Sequence, residues 1–146
     1  GYYYKSSVEL STKFASGDVW AAPWQAGWAV RVKRTNVPLA ISFPRVKDRQ
    51  GIVASGMIGI VKGTDVQRAS EFWINRYLSA EVQEKLGRAN GIAPVNAAAL
   101  KAMSGDPFLA DLMMLTPEQI GRAYAINWAK IDLSAIIDKW NRAMAR

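Results

Sequence analysis

The chain has 146 residues, half of them apolar, and a formal net charge of +7. Its length suffices for one domain with its own hydrophobic core, and a charged fraction of 21% is too ordinary for a disordered protein. There is no cysteine and no histidine, which excludes disulfides, thiolate nucleophiles, imidazole bases and zinc sites of the usual Cys/His kind. Because no nucleophile-plus-base spacing occurs either, we expect neither an enzyme nor a bound cofactor or metal.

The first predicted element is a helix from about Ser7 to Ser16. Ser6 and Glu9 have the spacing of a capping box, in which each side chain accepts a hydrogen bond from a backbone N–H of the first turn. Gly17 suits the end of this helix, because glycine readily adopts the left-handed conformation that closes many helices.

Three tryptophans follow at intervals of four residues: Trp20, Trp24 and Trp28. This spacing favours a single helical face, but Pro23 lacks an N–H and its ring clashes with the preceding turn. The rings are therefore expected to belong to different elements. Asp18 to Ala22 is predicted as a short buried strand, which would make Trp20 a core residue. Gln25 to Arg34 is predicted as a helix that contains Trp28, whose ring is expected to pack against the rest of the chain.

Two further strands are predicted, Val37 to Phe43 between prolines and Gly51 to Val61 with interrupting glycines. Capping signals predict helices that open at Thr64 with Gln67, at Ser79, at Thr116 with Gln119, and at Asp132. The apolar spacing of the last helix predicts a buried face made of Leu133, Ile136, Ile137, Trp140 and Met144.

Strands that alternate with helices indicate an α/β layer arrangement with a mainly parallel sheet. A parallel sheet needs both faces covered and usually has more strands than this sequence predicts. The chain is therefore expected to be part of a larger fold.

Much of the positive charge lies in one stretch of the sequence: Arg31, Lys33, Arg34, Arg45, Lys47 and Arg49. The simplest interpretation is a solvated face, since no nucleic-acid-binding motif surrounds these residues. The alternative is a basic module that binds nucleic acid or another anion, with affinity that falls steeply as salt increases.

Three blocks of the sequence carry a resemblance to a known family: KFASGDVWAAPW, FPRVKDRQGIVASGMIGIVKGT and ASEFWINRYLSAEVQEKLGRANGIAPVN. In this order they resemble the second half of the extracellular solute-binding proteins of bacterial ABC importers, especially the branch related to spermidine/putrescine-binding proteins. The matching places are Gly17-Asp18, Trp24, Gln50 to Ile52, Trp73 to Asn75, Leu78 to Gln83, and Gly91 to Asn96.

The resemblance implies an α/β type 2 periplasmic binding protein fold, incomplete because its N-terminal half is missing. Residues 1–53 would belong to the second lobe and 54–96 to the first, with a crossover hinge near 54–59. Residues 97–146 would return to the second lobe as C-terminal helices.

The function implied by the resemblance is that of the substrate-binding component of an ABC importer. Such a protein captures a small organic solute in the cleft between its lobes, in the periplasm or outside the cell at the membrane, and delivers it to a membrane permease. The expected partners are the small-molecule solute, the permease, and the missing N-terminal half or a second copy of the chain. No nucleic acid is expected.

By the same resemblance, the ligand-binding residues would be Trp24, Gln25, Ala54, Ser55, Gly56 and Ile92. Trp24 follows a predicted strand end, where ligands bind in open α/β sheets, but it is equally compatible with a core position. The polyamine-binding branch has tryptophan and aspartate where this chain has Ala54 and Gly56, and tyrosine where it has Ile92. A bulkier or less cationic solute is therefore expected, such as an amino-acid derivative or an organic anion.

Overall fold

The structure is a computed structural model that describes residues 3–54 and 56–145 of the chain. Its regular elements are mostly helices: α1 (Ser7–Ser16), α2 (Ala26–Lys33), α3 (Gln67–Tyr77), α4 (Ala80–Asn90), α5 (Ala97–Ser104), α6 (Pro107–Ala110), α7 (Pro117–Arg122) and α8 (Leu133–Met144). The strands are short: β1 (Arg45–Val46), β2 (Arg49–Gln50), β3 (Ile52–Val53) and β4 (Tyr124–Ala125). A 3₁₀ turn covers Trp128–Lys130.

Several helix boundaries confirm the predicted capping signals. The Ser6 side chain accepts a hydrogen bond from the Glu9 N–H, and Gly17 closes α1 at a φ of 78°. Thr116 and Gln119 form a complete capping box at α7, and Asp132 caps α8.

Two other caps differ from the prediction. Thr64 and Gln67 form no capping box, because α3 begins only at Gln67, whose side-chain amide donates to Glu71 at 2.8 Å. Ser79 does precede α4, but its hydroxyl donates to the Arg76 carbonyl instead of capping the helix.

The predicted strands are mostly absent from the described residues. Segments 18–22 and 37–43 form no strand, and within 51–61 only β3 does so. β1 and β2 make an antiparallel hairpin, while β3 pairs in parallel with β4. These segments have the composition of strands but lack neighbouring strands to complete a hydrogen-bonded ladder. The described part of the chain is therefore a helical unit with two strand pairs, compatible with part of a binding-protein fold.

The main core lies where α2, α5 and α6 meet the turn that follows α6. Its buried cluster consists of Val30, Met103, Leu109, Leu112, Met113 and Leu115, with Ile41, Leu100 and Phe108 packed against it. Leu10 of α1 is also fully buried. Burial of such side chains contributes about 1.5 to 3 kcal/mol each, so this cluster is the principal source of stability in the described residues.

Close contact between α2 and α4 depends on two glycines. Gly91 follows α4 at a φ of 65°, and a Cβ added there would lie 2.8 Å from the Gly27 Cα and 2.8 Å from the Val30 Cβ. A Cβ added to Gly27 would in turn lie 2.8 Å from the Asn90 carbonyl oxygen. Neither position can take a larger residue without moving backbone.

The predicted buried face of α8 is wrong for the described residues. Leu133, Ile136, Ile137, Trp140 and Met144 are all exposed. Tyr3 packs edge-on against Trp140, with ring centroids 6.0 Å apart, but among the described residues no other helix packs extensively against α8. The apolar residues of α8 recur at helical spacing, but their burial requires a partner that the described residues do not supply.

We predict that Gly91→Ala lowers the free energy of unfolding by about 2 to 3 kcal/mol, because it combines a left-handed backbone with a clash against α2. Gly17→Ala is the matched control: Gly17 has φ 78° but nothing within 4 Å of an added Cβ. It should cost only about 1 kcal/mol, the penalty for the left-handed conformation. Equal losses in urea titrations of the two variants would contradict the close contact.

Candidate functional site

An aromatic column connects α1 to the start of α2. The Trp24 ring lies nearly parallel to Phe14, with centroids 5.5 Å apart and planes at 24°, and nearly parallel to Trp28, at 6.4 Å and 11°. The Arg31 guanidinium continues the column, with its Cζ 4.7 Å from the centre of the Trp28 ring. Trp24 and Trp28 thus pack together although Pro23 prevents one continuous helix, and Trp28 is a residue of helix α2, as predicted.

Trp20 is not part of this column, and its predicted place in the core is wrong. Its side chain is 92% exposed, and its indole N–H donates to the Gly17 carbonyl at 3.0 Å. Because residues 18–22 pair with no strand among the described residues, the Trp20 ring has no sheet to pack against.

Hydrogen-bond donors without partners gather where the column meets α2. The Trp24 indole nitrogen is buried and has no acceptor among the described residues. Gln25 is exposed at the helix N-cap, and its side chain makes no capping bond. The N–H groups of Ala26 and Gly27 lie in the first turn, which leaves backbone donors unpaired and carries positive partial charge. These donors belong to four consecutive residues at the start of α2.

Ile92 lies in the turn that follows α4, next to the contact between α2 and α4. It follows Gly91, which touches Gly27, and its side chain is 54% exposed. The turn that carries Ile92 therefore lies beside the start of α2. The Trp24 ring stacks on Trp28 of the same helix.

Two polar residues of the matching blocks, Gln83 and Asn96, hold this turn through hydrogen bonds within the chain. The buried Gln83 donates to the Tyr77 carbonyl at 3.1 Å and accepts from the Val95 N–H at 3.1 Å. Asn96 donates to the Leu78 carbonyl at 3.0 Å while its oxygen caps α5. The Ser-Ala-Glu-Val-Gln and Pro-Val-Asn stretches contain both residues, but no local sequence pattern predicts hydrogen bonds to partners this far along the chain.

The other predicted site residues lie elsewhere. Ala54 and Gly56 are exposed beside β3, and an added Cβ at Gly56 would meet nothing within 4 Å. Ser55 lies outside the described residues. Among the described residues, no hydrogen bond or ring contact joins Ala54 or Gly56 to Trp24 or Ile92.

Charged side chains near the column are mostly paired within the chain. The pKa of the Asp18 carboxyl lies below its usual range because the Lys13 ammonium, 2.9 Å away, donates a hydrogen bond to it, with a further bond from Ser16. Arg31 donates to the Asn90 side chain at 3.0 Å. Arg49 donates to the Gly121 carbonyl at 3.1 Å. These contacts do not favour the alternative of a free basic surface for nucleic acid.

Arg34 makes a comparable internal contact. Its guanidinium donates to the Arg88 carbonyl and lies 5.6 Å from the centre of the Phe108 ring. Three of the six basic residues singled out in the sequence are therefore engaged with the chain itself.

Comparison with known families decides the class of protein. Residues 1–113 match the family model described as bacterial extracellular solute-binding protein. The chain belongs to that family. No curated protein gives a significant match to the chain.

Membership of this family indicates that the chain has a role in binding a solute. Members of the family bind solutes outside the cytoplasm and are generally not enzymes. Among the described residues, no helix is both long enough and apolar enough to cross a bilayer. In the same part of the chain, no three Asp or Glu side chains approach closely enough to hold a metal.

We predict that Trp24→Ala lowers the free energy of unfolding by about 3 kcal/mol, at the low end for a large aromatic residue because the ring is only half-buried. Trp20→Ala is the matched control and should cost no more than about 0.5 kcal/mol, since its ring is exposed. Chemical denaturation of both variants tests this. If the two variants are equally stable, the stacked column does not exist in solution.

Proposed function

We propose that the chain is a solute-capturing part of the substrate-binding component of an ABC importer, located in the periplasm or outside the cell at the membrane. It delivers its solute to a membrane permease. The observation that carries this proposal is the family match over residues 1–113. Of the ligand-binding residues, Trp24, Gln25 and Ile92 form one wall, and Ala54, Ser55 and Gly56 contribute to another.

The chemistry of the first wall favours a solute that bears a carboxylate. The Trp24 and Gln25 side chains and the first turn of α2 supply hydrogen-bond donors, and the adjacent helix end is electropositive. None of the proposed site residues is acidic, so an ammonium group would find no counter-ion there. Amino-acid derivatives and organic anions fit this site better than polyamines do.

The proposal includes a type 2 fold in which two lobes enclose the solute. Residues 1–53 and 97–146 would contribute to one lobe and 54–96 to the other, with a hinge near 54–59. Under this division, the α2–α4 contact at Gly27 and Gly91 joins the lobes. The large exposed apolar side chains of α3 and α8 support a further lobe, supplied by the missing half or by a second copy of the chain.

We expect this chain by itself to bind carboxylate solutes weakly, with a dissociation constant of about 1 mM or higher, because one side of the cleft is mostly absent. In NMR titrations, glutamate and succinate should shift the Trp24 indole N–H and the amide signals of Ala26 and Gly27. Putrescine at equal concentration should leave these signals unchanged.

Two variants make this titration specific. Gln25→Ala removes a donor and should weaken binding of the carboxylate solutes severalfold, whereas Trp20→Ala should not change it. A putrescine-induced shift as large as that of succinate would contradict the proposed solute class. Micromolar binding by this chain alone would contradict the need for a second lobe.

A further inference from the structure

A small cavity lies between the β1–β2 hairpin and α7. Its volume is about 120 Å³. The hairpin is tied to the helix because the Arg49 guanidinium donates a hydrogen bond to the Gly121 carbonyl at 3.1 Å. Six residues line the cavity: Phe43, Gln50, Met114, Glu118, Gln119 and Arg122.

The walls of this cavity do not depend on the missing half of the fold. All of the lining residues lie within 1–53 and 97–146, the two segments that the proposed division gives to one lobe. No hydrogen bond or ring contact among the described residues joins them to Trp24, so the cavity is separate from the proposed solute site. A ligand here would be held by one lobe alone.

One carboxylate and one guanidinium of the same helix line the cavity. Glu118 and Arg122 are four residues apart on α7, a spacing at which opposite charges often pair. They form no ion pair among the described residues, and the Arg122 guanidinium makes no hydrogen bond there. Its N–H groups are therefore available to a carboxylate, the acceptor that a guanidinium binds most strongly.

The Glu118 carboxylate is held by the end of its own helix. The pKa of this carboxyl lies below its usual range because it accepts a hydrogen bond from its own backbone N–H and another from the Thr116 hydroxyl, while the charge of Arg122 contributes less. The group is therefore ionised at neutral pH. A carboxylate has about four acceptor positions, so these bonds leave oxygen lone pairs for a cation.

The other walls are apolar or neutral. Phe43 and Met114 are half-buried, and both pack close to Gly51, where an added Cβ would lie 2.9 Å from the Met114 sulfur and 3.3 Å from the Phe43 ring. The Gln119 side-chain oxygen accepts from two backbone N–H groups at the start of α7, at 2.8 and 3.0 Å. These bonds fix the side chain and leave its NH₂ group as a donor.

We propose that this cavity binds a small zwitterion, an amino acid with a small side chain, whose carboxylate pairs with Arg122 and whose ammonium pairs with Glu118. The apolar part of the ligand would contact Phe43 and Met114. A simple anion would be repelled by Glu118, and a simple cation by Arg122, whereas a ligand with both charges is attracted by both groups. This inference concerns a second site and stands apart from the proposed function.

L-alanine and two single-charge analogues of the same size test the site, since propionate lacks the ammonium and ethylamine lacks the carboxylate. In NMR titrations of the full chain, L-alanine should shift the Met114 methyl signal and the side-chain amide signals of Gln50 and Gln119, with a dissociation constant of about 1 mM. Propionate and ethylamine should bind about two- to fivefold more weakly, the range expected for losing one exposed charge contact.

Single-charge variants assign the two contacts. Glu118→Gln and Arg122→Met should each weaken L-alanine binding about two- to fivefold. Glu118→Gln should not weaken propionate binding, because it removes a repulsion, and a general structural effect would not produce this difference. Arg68→Met removes an exposed cation from α3 and is the matched control, which should bind L-alanine like the unmodified chain.

Three results would overturn the proposal: no saturable shift by L-alanine up to about 20 mM, equal affinity for L-alanine and propionate, or unchanged L-alanine affinity in Glu118→Gln. The Trp24 indole and the amides of Ala26 and Gly27 report on the other site. Failure at either site is therefore read from different signals than failure at the other.

Discussion

The close approach of α2 and α4 at Gly27 and Gly91 is the contact on which the rest of the described structure depends. A Cβ at either glycine would meet backbone at 2.8 Å, so the distance between these helices is set by the absence of side chains. The contact fixes the position of the α2 N-terminus. It therefore also fixes the position of the hydrogen-bond donors around Gln25, the N-cap residue. It also fixes the turn that carries Ile92. A solute-binding wall of separate segments can be rigid only if such a contact holds them.

Local sequence signals predicted the helices well and the strands poorly. Ser6, Thr116 and Asp132 form caps from side chains within a few residues, so the information lies in the segment itself. A strand needs a partner from elsewhere, and segments 18–22 and 37–43 have none among the described residues. The same reason explains the exposed Trp20, which has the composition of a core residue but no sheet around it.

The candidate site was predictable in part. Family blocks pointed to Trp24 and to the turn at Ile92, and the structure places both on elements that meet α2. The stacking of Phe14 on Trp24 was not predicted, because it joins two elements whose packing no local pattern specifies. The ligand-binding roles of Trp24, Gln25, Ala54, Ser55, Gly56 and Ile92 stay predictions.

Amide hydrogen exchange tests the central claim that a rigid, glycine-packed helical unit carries a segment, Met57–Val61, whose backbone amides are not hydrogen-bonded within the described residues. The account predicts the slowest exchange in α2, α4 and α5, at rates set by global unfolding. The amides of Met57–Val61, which lack acceptors among the described residues, should exchange close to unprotected rates. Protection of 57–61 equal to that of α4, or rapid exchange throughout α2 and α4, would contradict it.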